Sequence, residues 1–138
     1  MDVKLIIYPA FFMVLLTFIL YIINYLENKN SYKNKQLSEK YFKAYQGDVP
    51  ENVTVSRQTL KNQFELPILF YFLISILIAF NNIAILDIVF AWVFVISRYI
   101  HTYIRLTTNY IPYRAKIFQL GMLILTIWWL HFIIKISL

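Results

Sequence analysis

Four long apolar stretches constrain the fold of this chain more than any other feature of its sequence. They extend over about 5–25, 57–80, 83–107 and 115–136 of the 138 residues, and a helix needs roughly 20 apolar residues to cross a bilayer. Lipid offers no hydrogen-bond partners to backbone amides, so each stretch must form a helix. Charged residues make up only 14% of the chain, against about 25% in a soluble domain. The sequence therefore predicts an all-α integral membrane protein, a four-transmembrane-helix bundle formed by a single domain over 1–138.

The distribution of lysine and arginine predicts which side of the membrane each connection faces. The first connection and its flanks contain Lys29, Lys33, Lys35, Lys40, Lys43, Arg57 and Lys61, and the third contains Arg105, Arg114 and Lys116. The hairpin at 81–87 contains neither residue type. Short connections rich in lysine and arginine are retained in the cytoplasm. We therefore expect both termini on the non-cytoplasmic side and both basic connections inside.

The polar connection at 27–55 leaves two interpretations open. One is a solvated loop that its lysines hold near anionic lipid. The other is a short surface helix within 35–45, whose Leu37, Tyr41 and Phe42 touch the lipid headgroups. Neither interpretation adds a second domain to the chain.

The third span carries a polar stripe at membrane depth. At about 100° per residue, six residues project within a sector of roughly 80°: Asp87, Phe94, Arg98, His101, Arg105 and Asn109. Polar residues inside a membrane are costly and usually face the bundle interior, where they meet a partner. Asp87 lies at the opposite end from the arginines and is expected to be the N-cap of the third helix.

The start of the second span adds another polar face. Gln58, Asn62 and Glu65 are spaced at i, i+4 and i+7, and Lys61 precedes Glu65 by four residues, within reach of an ion pair. Two interpretations remain open for these residues. Either Glu65 and Arg98 face each other or a ligand across the helices, or Glu65 neutralises one arginine while the other cations extend to phosphate headgroups.

Several classes of function find no support. The chain has no cysteine, which excludes disulfides, thiolate metal ligands and a cysteine nucleophile. Its two histidines, His101 and His131, have no carboxylates at ligand spacing, so no metal site is expected. No nucleotide-binding motif is visible, and we expect no nucleic-acid partner. A proton-coupled exporter would need an acid near the middle of a span, whereas Glu65 lies at an end.

Three short motifs occur in a fixed order on this four-span framework. They are Asn62-Gln63-Phe64-Glu65 at the start of the second span, Arg98-Tyr99-Ile100-His101-Thr102 on the third, and Pro112-Tyr113-Arg114 before the fourth. In order and spacing they resemble the MAPEG family, the membrane-associated proteins in eicosanoid and glutathione metabolism. The short chain, rich in lysine and asparagine, is most similar to the little-characterised bacterial branch of that family.

The resemblance implies a homotrimer, with glutathione bound between neighbouring protomers near the cytoplasmic surface. It assigns the binding of this co-substrate to Asn62, Glu65, Arg98, His101, Arg105 and Gln58. It assigns the catalytic role to Arg114, because an arginine beside a thiol favours the reactive thiolate. A lipophilic substrate would enter from the bilayer, and the bacterial branch implies the inner (cell) membrane.

Two positions depart from the family pattern: Gln58 stands where the family usually has an arginine, and Arg105 where the glutathione-dependent branches have a tyrosine. Two functions therefore remain open. One is an enzyme that transfers glutathione, or a similar small thiol, to lipophilic electrophiles or reduces lipid hydroperoxides. The other is a non-catalytic membrane protein whose basic cytoplasmic-side pocket binds anionic lipid or a partner.

Overall fold

The computed structural model describes residues 4–137, and all regular structure in this range is helical. The helices are α1 (Lys4–Lys33), α2 (Glu39–Ala44), α3 (Glu51–Lys61), α4 (Leu66–Ala79), α5 (Ile85–Leu106) and α6 (Ile111–Ser137). A single 3₁₀ turn, Asn62–Phe64, joins α3 to α4. The two helices and this turn together form one span of 29 residues.

Four helical segments are long and apolar enough to cross a membrane: α1, α3 with α4, α5 and α6. Their outer surfaces expose large apolar side chains, among them Phe18, Ile68 and Leu130, each more than half exposed. Exposing such area to water costs about 25 cal/mol per Å², whereas lipid accepts it. The prediction of an all-α integral membrane protein with four spans is confirmed.

The spans alternate in direction, which brings the two basic connections to the same end. Asn24 in the second half of α1 donates a hydrogen bond to Ser56 early in the second span, and Trp128 late in α6 donates one to Asp87 early in α5. We call the end with the connections 34–50 and 107–110 the basic end, and the end with the connection 80–84 the hairpin end.

Aromatic rings fill the centre of the bundle. The rings of Phe70 on α4 and Phe94 on α5 stack with their centroids 5.0 Å apart, and Trp128 on α6 packs edge-on against Phe70 at 6.0 Å. All three side chains are fully buried. The predicted stripe of α5 thus turns inward, with Phe94 in the core and its polar members above and below it.

Asp87 does not serve as the N-cap of α5, as the sequence suggested. Ala84 takes that position, and Asp87 is the third residue after it. The fully buried Asp87 carboxylate accepts hydrogen bonds from the backbone N–H of Ala84 at 2.8 Å, from Trp128 Nε1 at 2.9 Å and from Lys135 Nζ at 3.0 Å. Local capping is therefore only one of its roles, because the carboxylate also joins α5 to α6 at the hairpin end.

The polar connection contains more helical structure than a solvated loop would have. α1 continues to Lys33, and α2 forms within the expected surface segment. Leu37 and Tyr41 are buried with Val53 of α3 in a small separate core, so the expectation that they touch headgroups is wrong. Phe42 is half exposed, and its ring packs edge-on against Tyr32 at 5.6 Å. Leu37 and Tyr41 thus pack inside the protein and not on its surface.

Candidate functional site

The second span changes its helix geometry where its polar residues occur. α3 ends at Lys61, the 3₁₀ turn covers Asn62–Phe64, and α4 begins at Leu66. Pro67 has no backbone N–H to donate to the carbonyl of Gln63, so the α-helical hydrogen-bond pattern cannot continue through this point. The structure thus differs from the regular helix that the i, i+4, i+7 spacing presupposes.

A cavity of about 330 Å³ opens at the basic end between this turn, the second half of α5 and the first turns of α6. Five residues singled out in the sequence line it: Asn62, Glu65, His101, Arg105 and Arg114. Three segments far apart in sequence therefore place their polar side chains around one space. We call this space the basic cavity.

Gln58 and Arg98 stand behind the lining of the basic cavity. Gln58 Oε1 accepts a hydrogen bond of 2.7 Å from Arg105 Nη2, so this glutamine holds the arginine in place. Arg98 lies one turn of α5 deeper than His101, and only 1% of its surface is exposed. The role of Arg98 depends on the hydrogen-bond and ion-pair partners of its guanidinium.

The buried guanidinium of Arg98 lacks polar partners. It lies over the ring of Phe118, 5.5 Å from the centroid, while its Nε and Nη2 atoms are buried without a hydrogen bond. Within the described chain Glu65 forms no ion pair, neither with Arg98 nor with Lys61. An unpaired charge in such surroundings costs several kcal/mol, and an anion that reached these two donors would remove that cost.

Three lining residues on α6 were not predicted from the sequence: Ala115, Phe118 and Gln119. Phe118 follows Arg114 by four residues and Gln119 follows Ala115 by four, so all four lie on one helix face. The ring of Phe118 also packs against His101 at 5.7 Å. The helical spacing from Arg114 could have identified this face, but an aromatic residue in an apolar span gives no separate signal.

Arg114 is oriented by the connection that precedes it. Its Nη1 donates a hydrogen bond of 2.6 Å to Asn109 Oδ1. Asn109 has a left-handed backbone, with φ of 47°, which asparagine adopts more readily than most residues. The turn that ends α5 therefore also fixes the first arginine of α6 at the cavity.

The charges around the basic cavity favour an anion. Arg105 and Arg114 line the cavity together with a single acid, Glu65, and the buried Arg98 lies one turn of α5 deeper. The buried atoms without a hydrogen bond include His101 Nδ1, Thr102 Oγ1 and Arg105 Nε in addition to those of Arg98. Among residues 4–137 no group of three His, Cys, Asp or Glu side chains could hold a metal ion. The arrangement suits a polar, net negative molecule with several acceptors.

Comparison with known proteins agrees with this architecture. The sequence model of the MAPEG family matches residues 6–134, nearly the whole chain. No curated protein and no solved structure matches it significantly. The family match includes all four spans and every residue of the basic cavity, and the chain therefore belongs to the MAPEG family.

Proposed function

We propose that this protein binds glutathione, or a similar small thiol, in the basic cavity and transfers it to lipophilic electrophiles or uses it to reduce lipid hydroperoxides. One observation carries the proposal: a buried arginine, Arg98, with two unpartnered donors lies against Phe118, which lines a cavity together with two further arginines. A structural arginine would satisfy its donors within the protein.

The residues of the cavity fit the groups of glutathione, a tripeptide with two carboxylates, one ammonium group and one thiol. Arg98 and Arg105 supply guanidinium donors for carboxylates, which bind such groups strongly. Glu65 complements the ammonium group, and Asn62 offers a donor and an acceptor for a peptide unit. A volume of about 330 Å³ lies at the lower end of the range for small-molecule sites.

Arg114 is the proposed catalytic residue. A guanidinium beside the thiol of the bound tripeptide lowers the pKa of that thiol, so that more of it is the nucleophilic thiolate at neutral pH. In a transfer reaction the sulfur forms a bond to the electrophilic carbon, and the leaving group departs with its electron pair. In a peroxidase reaction two thiols become one disulfide, while the hydroperoxide becomes an alcohol and water.

Assembly and orientation belong to the same proposal. We expect a homotrimer whose neighbouring protomers cover the polar side of the basic cavity, because a polar face is costly against lipid. The basic end faces the cytoplasm of a bacterial cell, where it has access to a soluble thiol, and both termini face outward. Native mass spectrometry from mild detergent should then show three protomers, and an active protein that is strictly monomeric would exclude shared sites.

Thermal stability with glutathione tests the proposal directly. A ligand that binds only the native state stabilises it by about 2.7 kcal/mol at a concentration of 100 Kd, so the Tm of the purified protein should rise by several degrees. Arg98→Gln should abolish the rise. Lys35→Gln, in the connection at the basic end, should keep it. Release of chloride from a chloronitrobenzene in the presence of glutathione then reports turnover.

The second candidate is a pocket that binds an anionic lipid headgroup without catalysis. The hydrogen bond between Gln58 and Arg105 favours it, because that contact engages a guanidinium that a second carboxylate of glutathione would use. Under this alternative, small thiols would neither raise the Tm nor react. Anionic phospholipid would raise the Tm of the wild type and would not raise that of Arg98→Gln.

A further inference from the structure

α3 contacts a different neighbour on each of three faces. Asn24 of α1 donates a hydrogen bond of 3.0 Å to Ser56, and Arg105 of α5 donates one of 2.7 Å to Gln58. Arg57 precedes Gln58 in sequence, so it lies about 100° away around the helix, and there it contacts the end of α2. Arg57 and Gln58 thus connect one helix to two different neighbours.

Two tyrosine rings contact the guanidinium of Arg57. Its Cζ atom lies 5.7 Å from the ring centroid of Tyr41 and 4.9 Å from that of Tyr45. The two rings pack edge to face on each other, with their centroids 5.5 Å apart. A cation over the face of an aromatic ring is attracted by the negative charge density of that face. We call Tyr41, Tyr45 and Arg57 together the tyrosine clamp.

The first ring of the clamp belongs to the small core of the polar connection. Tyr41 is buried and packs with Leu37 and with Val53 of α3. Val53 and Arg57 are four residues apart and therefore lie on one face of α3. The same face thus offers α2 an apolar contact and a cation. Both kinds of contact fix the connection 34–50 against α3.

The second ring of the clamp stands on an unusual backbone. Tyr45 ends α2 with a left-handed φ of 53°, and its N–H donates a hydrogen bond of 2.7 Å to the carbonyl of Tyr41. A bulky residue adopts this conformation at a cost, whereas glycine or asparagine ends a helix in it easily. Such strain persists where the surrounding contacts maintain it, and it often marks a functional position. The contact with Arg57 requires an aromatic ring, which glycine and asparagine lack.

We propose that the tyrosine clamp positions Arg105 in the basic cavity, with Arg57 and Tyr45 as positioning residues that act through Gln58. The clamp fixes α3, and the hydrogen bond between Arg105 and Gln58 then holds the guanidinium at the cavity wall. An arginine that is ordered before an anion arrives loses less conformational entropy on binding. This role rests on the proposed function, because it concerns the same anion site. It gives the connection 34–50 a part in the affinity of that site.

The small number of arginines allows a test that needs no ligand. The chain has only Arg57, Arg98, Arg105 and Arg114, so each Nε–H signal of isotope-labelled arginine can be assigned by NMR from single substitutions. Arg105 Nε is buried, and its proton should exchange slowly with water. Arg57→Gln should accelerate this exchange roughly fivefold, as expected for the loss of the ring contacts, and should leave that of Arg98 unchanged. Equal exchange rates of Arg105 in wild type and Arg57→Gln would overturn the proposal.

Three variants separate positioning from general destabilisation. Lys29→Gln removes a cation that lies over Tyr25, 5.8 Å from the ring centroid, and should not change the exchange of Arg105. Tyr45→Phe keeps the ring and should behave as the wild type. Tyr45→Asn removes the ring but suits the left-handed backbone, so the Tm should change little while Arg105 exchanges faster. A lower Tm with slow exchange of Arg105 would show a merely structural contact and would overturn the proposal.

A double-mutant cycle tests the route through Gln58. Gln58→Ala alone should accelerate the exchange of Arg105, and adding Arg57→Gln should then change it little. Additive accelerations would overturn this route. With glutathione as the probe, Arg57→Gln should raise KM roughly fivefold, with a much smaller effect on kcat. A wild type that binds no glutathione would contradict the proposed function and not the clamp, because the exchange measurement uses the protein alone.

Discussion

Arg114 is the residue that activates the thiol in the proposed site. If its guanidinium lowers the pKa of the bound thiol, Arg114→Ala must raise that pKa toward the value of a free thiol, about 8.5. The thiolate fraction at neutral pH then falls, and the rate should decrease while its pH optimum moves upward. Rate profiles between pH 6 and pH 9 check this, with Lys116→Ala as the matched control. An unchanged optimum in Arg114→Ala would remove the catalytic role.

Gly121 has a packing role at the level of single residues. A Cβ atom there would lie 2.9 Å from Ser97 Oγ, beside Arg98, and Ser97 already donates a hydrogen bond of 2.6 Å to the carbonyl of Phe94. Gly121→Ala should therefore separate α5 from α6 and destabilise the protein by about 1–3 kcal/mol. Thermal unfolding measures the loss. The double variant Gly121→Ala/Ser97→Ala should recover most of it, and equal Tm values for the single and double variants would contradict this account.

At the scale of helices, the ion pair between Asp87 and Lys135 holds the hairpin end. Asp87→Asn keeps an acceptor for Trp128 but leaves the ammonium of Lys135 without a counter-charge. Losing a hydrogen bond to a charged group costs about 1.5–3 kcal/mol, so the Tm should fall. Lys135→Met in the Asp87→Asn background should cost much less than in the wild type. Additive losses in this double-mutant cycle would show that the pair is not coupled.

The sequence predicts those features of the helices that depend on local spacing. The four apolar runs identify four spans, and a 100° repeat identifies the inward stripe of α5, including the buried Arg98. Contacts between distant segments escape such reasoning. The pairing of Asp87 with Lys135, the ring of Phe118 under Arg98 and the burial of Tyr41 all depend on which helices become neighbours. Periodicity in one helix contains no information about that choice.

The orientation of the whole molecule can be tested because the chain has no native cysteine. Single cysteines at Lys35 and Thr108 should react with a membrane-impermeant maleimide only from the cytoplasmic side, since ten lysines and arginines surround these connections. A cysteine at Asn82 should react only from the opposite side. If the cysteines at positions 35 and 82 reacted with the maleimide from the same side, the four-span topology would be contradicted. The result decides which cellular compartment has access to the basic cavity.

The contact between Asp87 and Lys135 also bears on how the protein is made. Lys135 follows Asp87 by 48 residues, so the carboxylate leaves the ribosome roughly 2–10 seconds before its partner at ordinary rates of synthesis. During that interval the acid at the start of α5 has no counter-charge, which opposes the stable placement of α5 in lipid. We therefore expect α5 and α6 to enter the bilayer as a pair, and we expect a nascent chain that stops before Lys135 to hold α5 less stably in the membrane.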